Sequence, residues 1–412
     1  MFQKTKILIF SGSFLVVLYG ASAAFYGKEP YKELGLFMNV LNRVWNDYVE
    51  VPDMNNAHDG AMRGLMDALD PYSSFLTKAQ YEDLQKRKES GKAGAGMVLS
   101  KRSEVVYVVS CDRNGPATEA GVRPGDYLIA VNGRPVEDKS LLEVDGLLRG
   151  QAGSKVKVTL FRGSRTKTMD VEVTLKDPSA TPVNSRMLDG NVGLLTVSSL
   201  NAPSVEQAKV KLKTLISAGA GKLILDLRDC ADGTPSDGAD LANFFMRSGM
   251  IYFSQNRKGE KVQVVEAVPE KFITDLPVAV LIDGSTGGAA EITAGALKDR
   301  KRAAIVGDKS FGIGSSQKTI QLKSGAMLIL STAKFYTPSG KIIQDETMRN
   351  TGIVPDFKAP DDDKRQDLAV ESYYDDQDDA KYRLIQEKIE KIQLEKALEI
   401  LSAESVPAKK AA

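Results

Sequence analysis

The stretch Val278–Gln317 holds the residues best placed for chemistry: VAVLIDGSTGGAAEITAGALKDRKRAAIVGDKSFGIGSSQ. Its pattern predicts a buried strand over Val278–Ile282, a glycine-rich turn, and a helix opening near Gly288. A second strand, Ala304–Val306, runs into the glycine-punctuated loop Gly307-Asp308-Lys309-Ser310-Phe311-Gly312-Ile313-Gly314. A strand feeding a helix through a sharp turn is where an α/β enzyme holds a nucleophile. Exposed N–H groups and the helix dipole there stabilise developing negative charge. Ser285 and Thr286 on the turn could offer a hydroxyl, and Lys309 on the second loop an amine base. An amine base must be desolvated to lose its proton near neutral pH, and Lys309 has Asp308 beside it.

Other catalytic chemistries are restricted by one count. The chain carries a single histidine, His58, in the polar segment Asn55–Gly60, read as a loop leading into a helix. A Ser-His-Asp site, a Cys-His site and the commonest zinc sites would all need it. It lies far in sequence from the glycine-rich loops, so a surface role is expected. Cys111 and Cys230 have no C-x-x-C spacing; buried free thiols are expected, with a disulfide left open.

Glu291-Ile292, Ala294-Gly295-Ala296-Leu297, Phe311-Gly312 and Gln317 together resemble the carboxyl-terminal processing (tail-specific) serine peptidases. Members of that family cut polypeptides with a serine/lysine dyad. The resemblance puts the family's nucleophile on Gly288 and its base on Ile313, keeping their separation of 25 positions, with Gln317 as the third polar residue. Asp226-Leu227-Arg228-Asp229-Cys230-Ala231-Asp232-Gly233 matches the family's D-L-R-x-N-P-G-G, whose backbone contributes to the oxyanion hole. Asp232 stands at the first glycine of that motif, where a carboxylate has the wrong charge beside a developing oxyanion. The resemblance thus implies a serine-peptidase fold in which no catalytic pair is intact. The alternative is an active endopeptidase using other residues, such as Ser285 with Lys309.

Gly94-Ala95-Gly96-Met97, Gly115-Pro116-Ala117, Ala120–Asp126 and Leu128–Gly133, then a helix over Ser140–Leu148, resemble a PDZ domain over 91–175. Such a domain adds a peptide as a strand beside an edge strand, and loop N–H groups hold the terminal carboxylate. Gly94, Ala95, Gly96 and Met97 match that loop, where small residues permit close backbone approach.

The rest of the 412 residues frames these sites. Composition is that of a globular protein, 42% apolar and 26% charged. Net charge is +1 with both signs interspersed, which argues against nucleic acid as a partner. Residues 1–24 read as a signal peptide or signal anchor: Lys4 and Lys6, an apolar run from Ile7 to Ala24, and the small-x-small end Ala21-Ser22-Ala23. An exported protein is expected, in the bacterial periplasm or membrane-anchored through residues 7–24 with its body outside the cytoplasm.

The expected architecture is an α/β peptidase core with ClpP/crotonase-like βαβ layers, by resemblance, an inserted PDZ domain, and helical segments at both ends. The segments are a helical part over 25–90, the PDZ domain, the core over 176–358, and an acidic linker with a helix over 359–412. Thr77 is an expected N-cap, Leu384–Leu401 an expected helix, and Asp361–Asp363 and Asp375–Asp379 solvated linker. No calcium-loop pattern is present there, and neither metal nor cofactor is expected. Expected partners are polypeptide C-termini or unfolded segments and an active homologous peptidase, with a homo-oligomer left open.

Overall fold

The computed structural model describes residues 29–102, 104–162, 168–177, 181–344, 351–361, 363–364 and 379–403. The signal segment 1–24, the acidic run 375–378 and the tail after Ala403 lie outside the described residues. The chain divides into one unit up to Gly64 and another from Leu65 onward. In the first, Glu29–Asp47 and the start of Met54–Asp67 are helical. His58 sits within the second of these helices, not in a loop before it; it is exposed, 3.1 Å from its neighbour Asp59. The polar residues of that segment lie on the helix's outer faces, which is why it reads as a loop.

The centre of the second unit is a six-stranded sheet. Asn184–Leu188 pairs antiparallel with Val192–Thr196, and Lys222–Asp226, Val278–Ile282, Ala303–Gly307 and Phe357–Lys358 follow in parallel. Val278–Ile282 is apolar throughout because both its faces are covered, as a central parallel strand requires. Val278, Val280 and Ile282 pack into one core together with Ile292, Ala296 and Leu297 of the helix Ala289–Asp299. Ala279 and Leu281 point the other way, onto Ala397, Ile400 and Leu401 of the helix Asp379–Ser402. Alternation along one strand therefore joins two hydrophobic layers.

A second, antiparallel sheet flanks this core. Met327–Tyr336 pairs with Ser315–Gln321 and with Met250–Asn256, which pairs with Lys261–Glu266. Ser74–Leu76, which reads in sequence as a break between helices, is a strand of this sheet paired with Met327–Ile329. Thr77 then caps the helix Lys78–Ser90, closing a reciprocal box with Gln80.

Residues 97–174 form a separate β-fold. Its order is Met97–Arg102, Val105–Cys111, Tyr127–Val131, Lys155–Phe161 and Met169–Thr174, with the short helices Pro116–Glu119 and Leu141–Leu147. Met97–Arg102 is the edge of that sheet. A buried ion pair, Arg162 Nε to Asp126 Oδ1 at 2.6 Å and Nη2 to Oδ2 at 2.7 Å, joins the start of Tyr127–Val131 to the end of Lys155–Phe161. Its bidentate geometry offsets the desolvation of both charges.

Candidate active site and peptide groove

Three neighbouring strands of the central sheet end in three loops, 227–234, 283–288 and 308–314, and these meet at the sheet's carboxyl edge. Open α/β sheets hold ligands at that edge. The turn after Ile282 is locked by its own side chains. Asp283 Oδ1 accepts the Ser285 N–H at 3.0 Å, and the fully buried Thr286 hydroxyl lies 3.0 Å from it and 2.9 Å from Leu227 O. Thr286 is thereby a structural hydroxyl. The flanking loops grip the turn through the backbone: Gly287 N–H donates to Cys230 O at 2.9 Å, and Phe311 N–H to Thr286 O at 2.8 Å.

Gly288 immediately precedes the helix Ala289–Asp299 with φ 53° and ψ −115°. L-residues rarely hold this conformation, which is the strained strand-to-helix elbow on which a nucleophile is presented. A Cβ on Gly288 would stand 3.3 Å from Ala231 O, a tight contact that asks the carbonyl to give by a few tenths of an ångström. Ile313 lies against the same turn: a Cβ on Gly287 would stand 3.0 Å from its Cδ1. Thus the chain brings Gly288 and Ile313 together around one turn, and between them they offer neither hydroxyl nor amine.

Sequence reasoning aligned Glu291 but missed what it does. Its buried carboxylate accepts the Gly288 N–H at 2.9 Å and the Ile313 N–H at 2.8 Å on Oε2, and the Ser310 hydroxyl on Oε1. Ser310 Oγ in turn accepts the Ile353 N–H at 2.6 Å. Burial pushes the Glu291 carboxyl up to about 7 against the opposing pull of these donors. One side chain therefore ties the elbow to the loop that carries Ile313. The signal for this was only a glutamate three residues past a glycine, the spacing that returns a side chain to an N-cap N–H.

Asp232 is positioned otherwise than its charge alone suggests. Its carboxylate turns to the end of the neighbouring strand, accepting the Leu200 N–H at 2.7 Å and the Ser199 hydroxyl at 2.6 Å. Burial raises its pKa. Gly233, at φ 96°, fits beneath the Leu200 carbonyl, where a Cβ would stand 1.7 Å from the oxygen. Gln317 lies exposed on Ser315–Gln321, with Nε2 2.8 Å from Ser315 Oγ and 3.1 Å from Ser331 Oγ. It serves its own sheet. Ser285 borders a cavity of about 760 Å³ with Arg113, Asp229, Asp283, Asp308 and Glu390. Lys309 is exposed on the adjacent loop.

Arg113, which no sequence pattern marked, ties the PDZ-like fold to this edge. It reaches Asp229 at 3.0 Å, Asp226 at 3.5 Å and Glu390 at 3.5 Å. Tyr107 meets Phe311 with ring centroids 6.2 Å apart. Within the PDZ-like fold, Gly94 exchanges backbone hydrogen bonds with Lys176, and the carbonyls of Ala95 and Gly96 accept from Ala117 and Asp112. Gly96 holds φ 69°, and Met97 starts the edge strand. Asp112 sits behind this loop with its pKa raised to about 7, by burial first and then by Asp232. Cys111 and Cys230 are free and buried, and burial pushes both thiols up.

An elbow at the carboxyl edge of a parallel sheet, joined to a β-fold with an open edge strand, defines a PDZ-bearing serine-peptidase architecture. Residues 191–359 match peptidase family S41 and residues 107–162 match the PDZ domain. The chain is 30% identical over 353 residues to the carboxy-terminal-processing protease of Bartonella bacilliformis, covering 85% of this chain and 80% of that one. It is 28% identical to the carboxy-terminal processing protease CtpA of Bacillus subtilis, over 83% of this chain and 72% of that one. Among solved structures, the photosystem II D1 C-terminal processing protease superposes with a TM-score of 0.64 at 26% identity, over 81% of this chain and 88% of that one. The chain belongs to peptidase family S41.

Proposed function

We propose that this chain is a catalytically silent S41 protein that captures polypeptide C-termini through its PDZ domain, in a regulatory or scaffolding role beside an active relative. The observation that carries this reading is a complete elbow without reacting groups. Glu291 holds both backbones in place, while Gly288 has no side chain and Ile313 cannot take a proton. The relatives are named as proteases, and Ser285 beside a cavity is the group a proteolytic alternative would use. Incubation with an unfolded reporter protein, next to an active S41 peptidase, separates the two; no cleavage is the expected result, and cleavage abolished by Ser285→Ala supports the alternative.

The loop Gly94–Met97 supports carboxylate capture: the Ala95 and Gly96 carbonyls are tied back into the domain and the Gly94 N–H is taken by Lys176 O, so the N–H groups of Ala95 and Gly96 are the candidates to hold a carboxylate. Peptides ending in a free apolar residue are expected to bind at micromolar strength, about 8 kcal/mol, and C-terminally amidated peptides at least tenfold more weakly. Calorimetry compares the pair; equal binding removes the carboxylate-capture model.

Export is part of the proposal. Among the described residues no helix is long and apolar enough to cross a membrane. Intact mass of the mature protein distinguishes cleavage after Ala23 from a retained anchor, and a cytoplasmic, membrane-free form bearing Met1 would defeat both.

A further inference from the structure

The PDZ edge strand is open along only part of its length. Met97, Val98 and Leu99 are half-buried, but Ser100 is fully buried and Lys101 is 7% exposed, although among the described residues no strand pairs with them on that side. What covers them is the segment that leads into the strand Ser74–Leu76, together with the residues at the start of the helix Leu141–Leu147. Lys101 Nζ bonds Asp67 at 3.2 Å and the Lys139 carbonyl at 3.3 Å. Tyr72 packs against the PDZ core with Met97 and Leu99, and its hydroxyl is shielded from solvent beside Ser100.

This cover is built into the core. Asp70 accepts the N–H groups of Tyr72 and Ser73 at 2.8 and 2.9 Å, fixing the turn from within. Ser331 N–H donates to Ser73 Oγ and Ser331 Oγ to Asp70, both at 3.1 Å, and the next residues pair with Met327–Ile329. Lifting Tyr72 away would break that anchorage, so a weakly bound peptide will not displace it.

We infer that Tyr72 and the Asp67–Lys101 pair fix the reach of the PDZ groove, limiting strand addition to the last three residues of a bound polypeptide. The inference rests on the peptide-capture reading above. A carboxylate held at Gly94–Met97 sends the peptide antiparallel along the edge strand, its successive residues passing Met97, Val98 and Leu99. The fourth residue meets Ser100 under Tyr72 and must leave the strand. The ligand class that fits is an unstructured C-terminal tail, selected by its three terminal residues and indifferent to what precedes them.

Nested free-acid peptides of three to six residues, sharing one apolar C-terminus, test this in competition with a labelled hexapeptide on the full chain. Affinity is expected to stay within about twofold from three residues to six. In Tyr72→Ala combined with Lys101→Ala, the fourth and fifth residues should each add several-fold. A wild-type hexapeptide bound tenfold or more tightly than the tripeptide overturns the inference while leaving peptide capture intact. Absence of binding at every length removes the capture reading and this inference with it. Should the double variant not fold, the wild-type series alone decides.

Discussion

Gly288→Ser combined with Ile313→Lys is expected to give weak peptidase activity, while Gly288→Ser alone stays silent. The elbow already has the backbone a nucleophile needs, and a Cβ at 3.3 Å from Ala231 O requires only a slight shift of that carbonyl. Serine at φ 53° costs about 1–2 kcal/mol, because L-residues resist the left-handed region. Without a base its hydroxyl remains a poor nucleophile. Lysine at 313 would enter the half-buried space that Ile313 fills beside Gly287, where desolvation favours the neutral amine a base requires. That same desolvation should lower the melting temperature of the double variant. Asp232→Gly in addition adds no donor, since residue 232 keeps its N–H in either form, and with the carboxylate turned to Leu200 and Ser199 it should change the rate little. It should cost stability, because the Leu200 N–H and Ser199 hydroxyl lose their acceptor. Initial rates on an unfolded reporter and thermal melts read both effects. Cleavage by the unmodified chain that is unchanged by Gly288→Ala and abolished by Lys309→Ala or Ser285→Ala would show instead an active peptidase using Ser285 and Lys309.

Much of this architecture was legible because its signals are local. Val278–Ile282 announces a strand covered on both faces by an unbroken apolar run, and Ser140 and Thr77 announce helix starts through their capping partners. Whatever depends on distant pairing was not. Ser74–Leu76 is too short to show periodicity, and its partner Met327–Ile329 lies some 250 residues on. Polar alternation on a helix surface disguised the segment around His58. Asp232 could be recognised as a charge in an oxyanion motif, but its orientation follows from Ser199 and Leu200, which only folding brings near. Arg113 carries no motif at all; its meaning arises from three carboxylates, on a strand, on the loop after it and on a distant helix.

Glu291→Ala is expected to cause the largest loss of stability of any single change at the site. It removes the acceptor of the half-buried Gly288 and Ile313 N–H groups and of the buried Ser310 hydroxyl, all of which point at a fully buried carboxyl. Each donor left unsatisfied in such a place costs about 1–3 kcal/mol, so a loss of roughly 3–5 kcal/mol follows even without full additivity. Glu291→Gln should be far milder, because its amide keeps one acceptor oxygen for the two N–H groups and can donate to Ser310. The two forms of residue 291 also differ in pH response. The Glu291 carboxyl sits at about 7 in the folded chain against 4.5 for the free group, so folding takes up a proton between those values. Its contribution to stability is full below the lower value and is lost as pH rises through the upper one, by at most about 1.4 kcal/mol per pH unit. Glutamine, which cannot ionise, has no such slope. Glu291→Gln should therefore gain stability relative to wild type between pH 5 and pH 8, in thermal or urea unfolding. A wild-type protein that gains on the variant as pH rises would mean that Gly288, Ile313 and Ser310 hold the carboxylate ionised, and that hydrogen bonding rather than burial sets the charge of this residue.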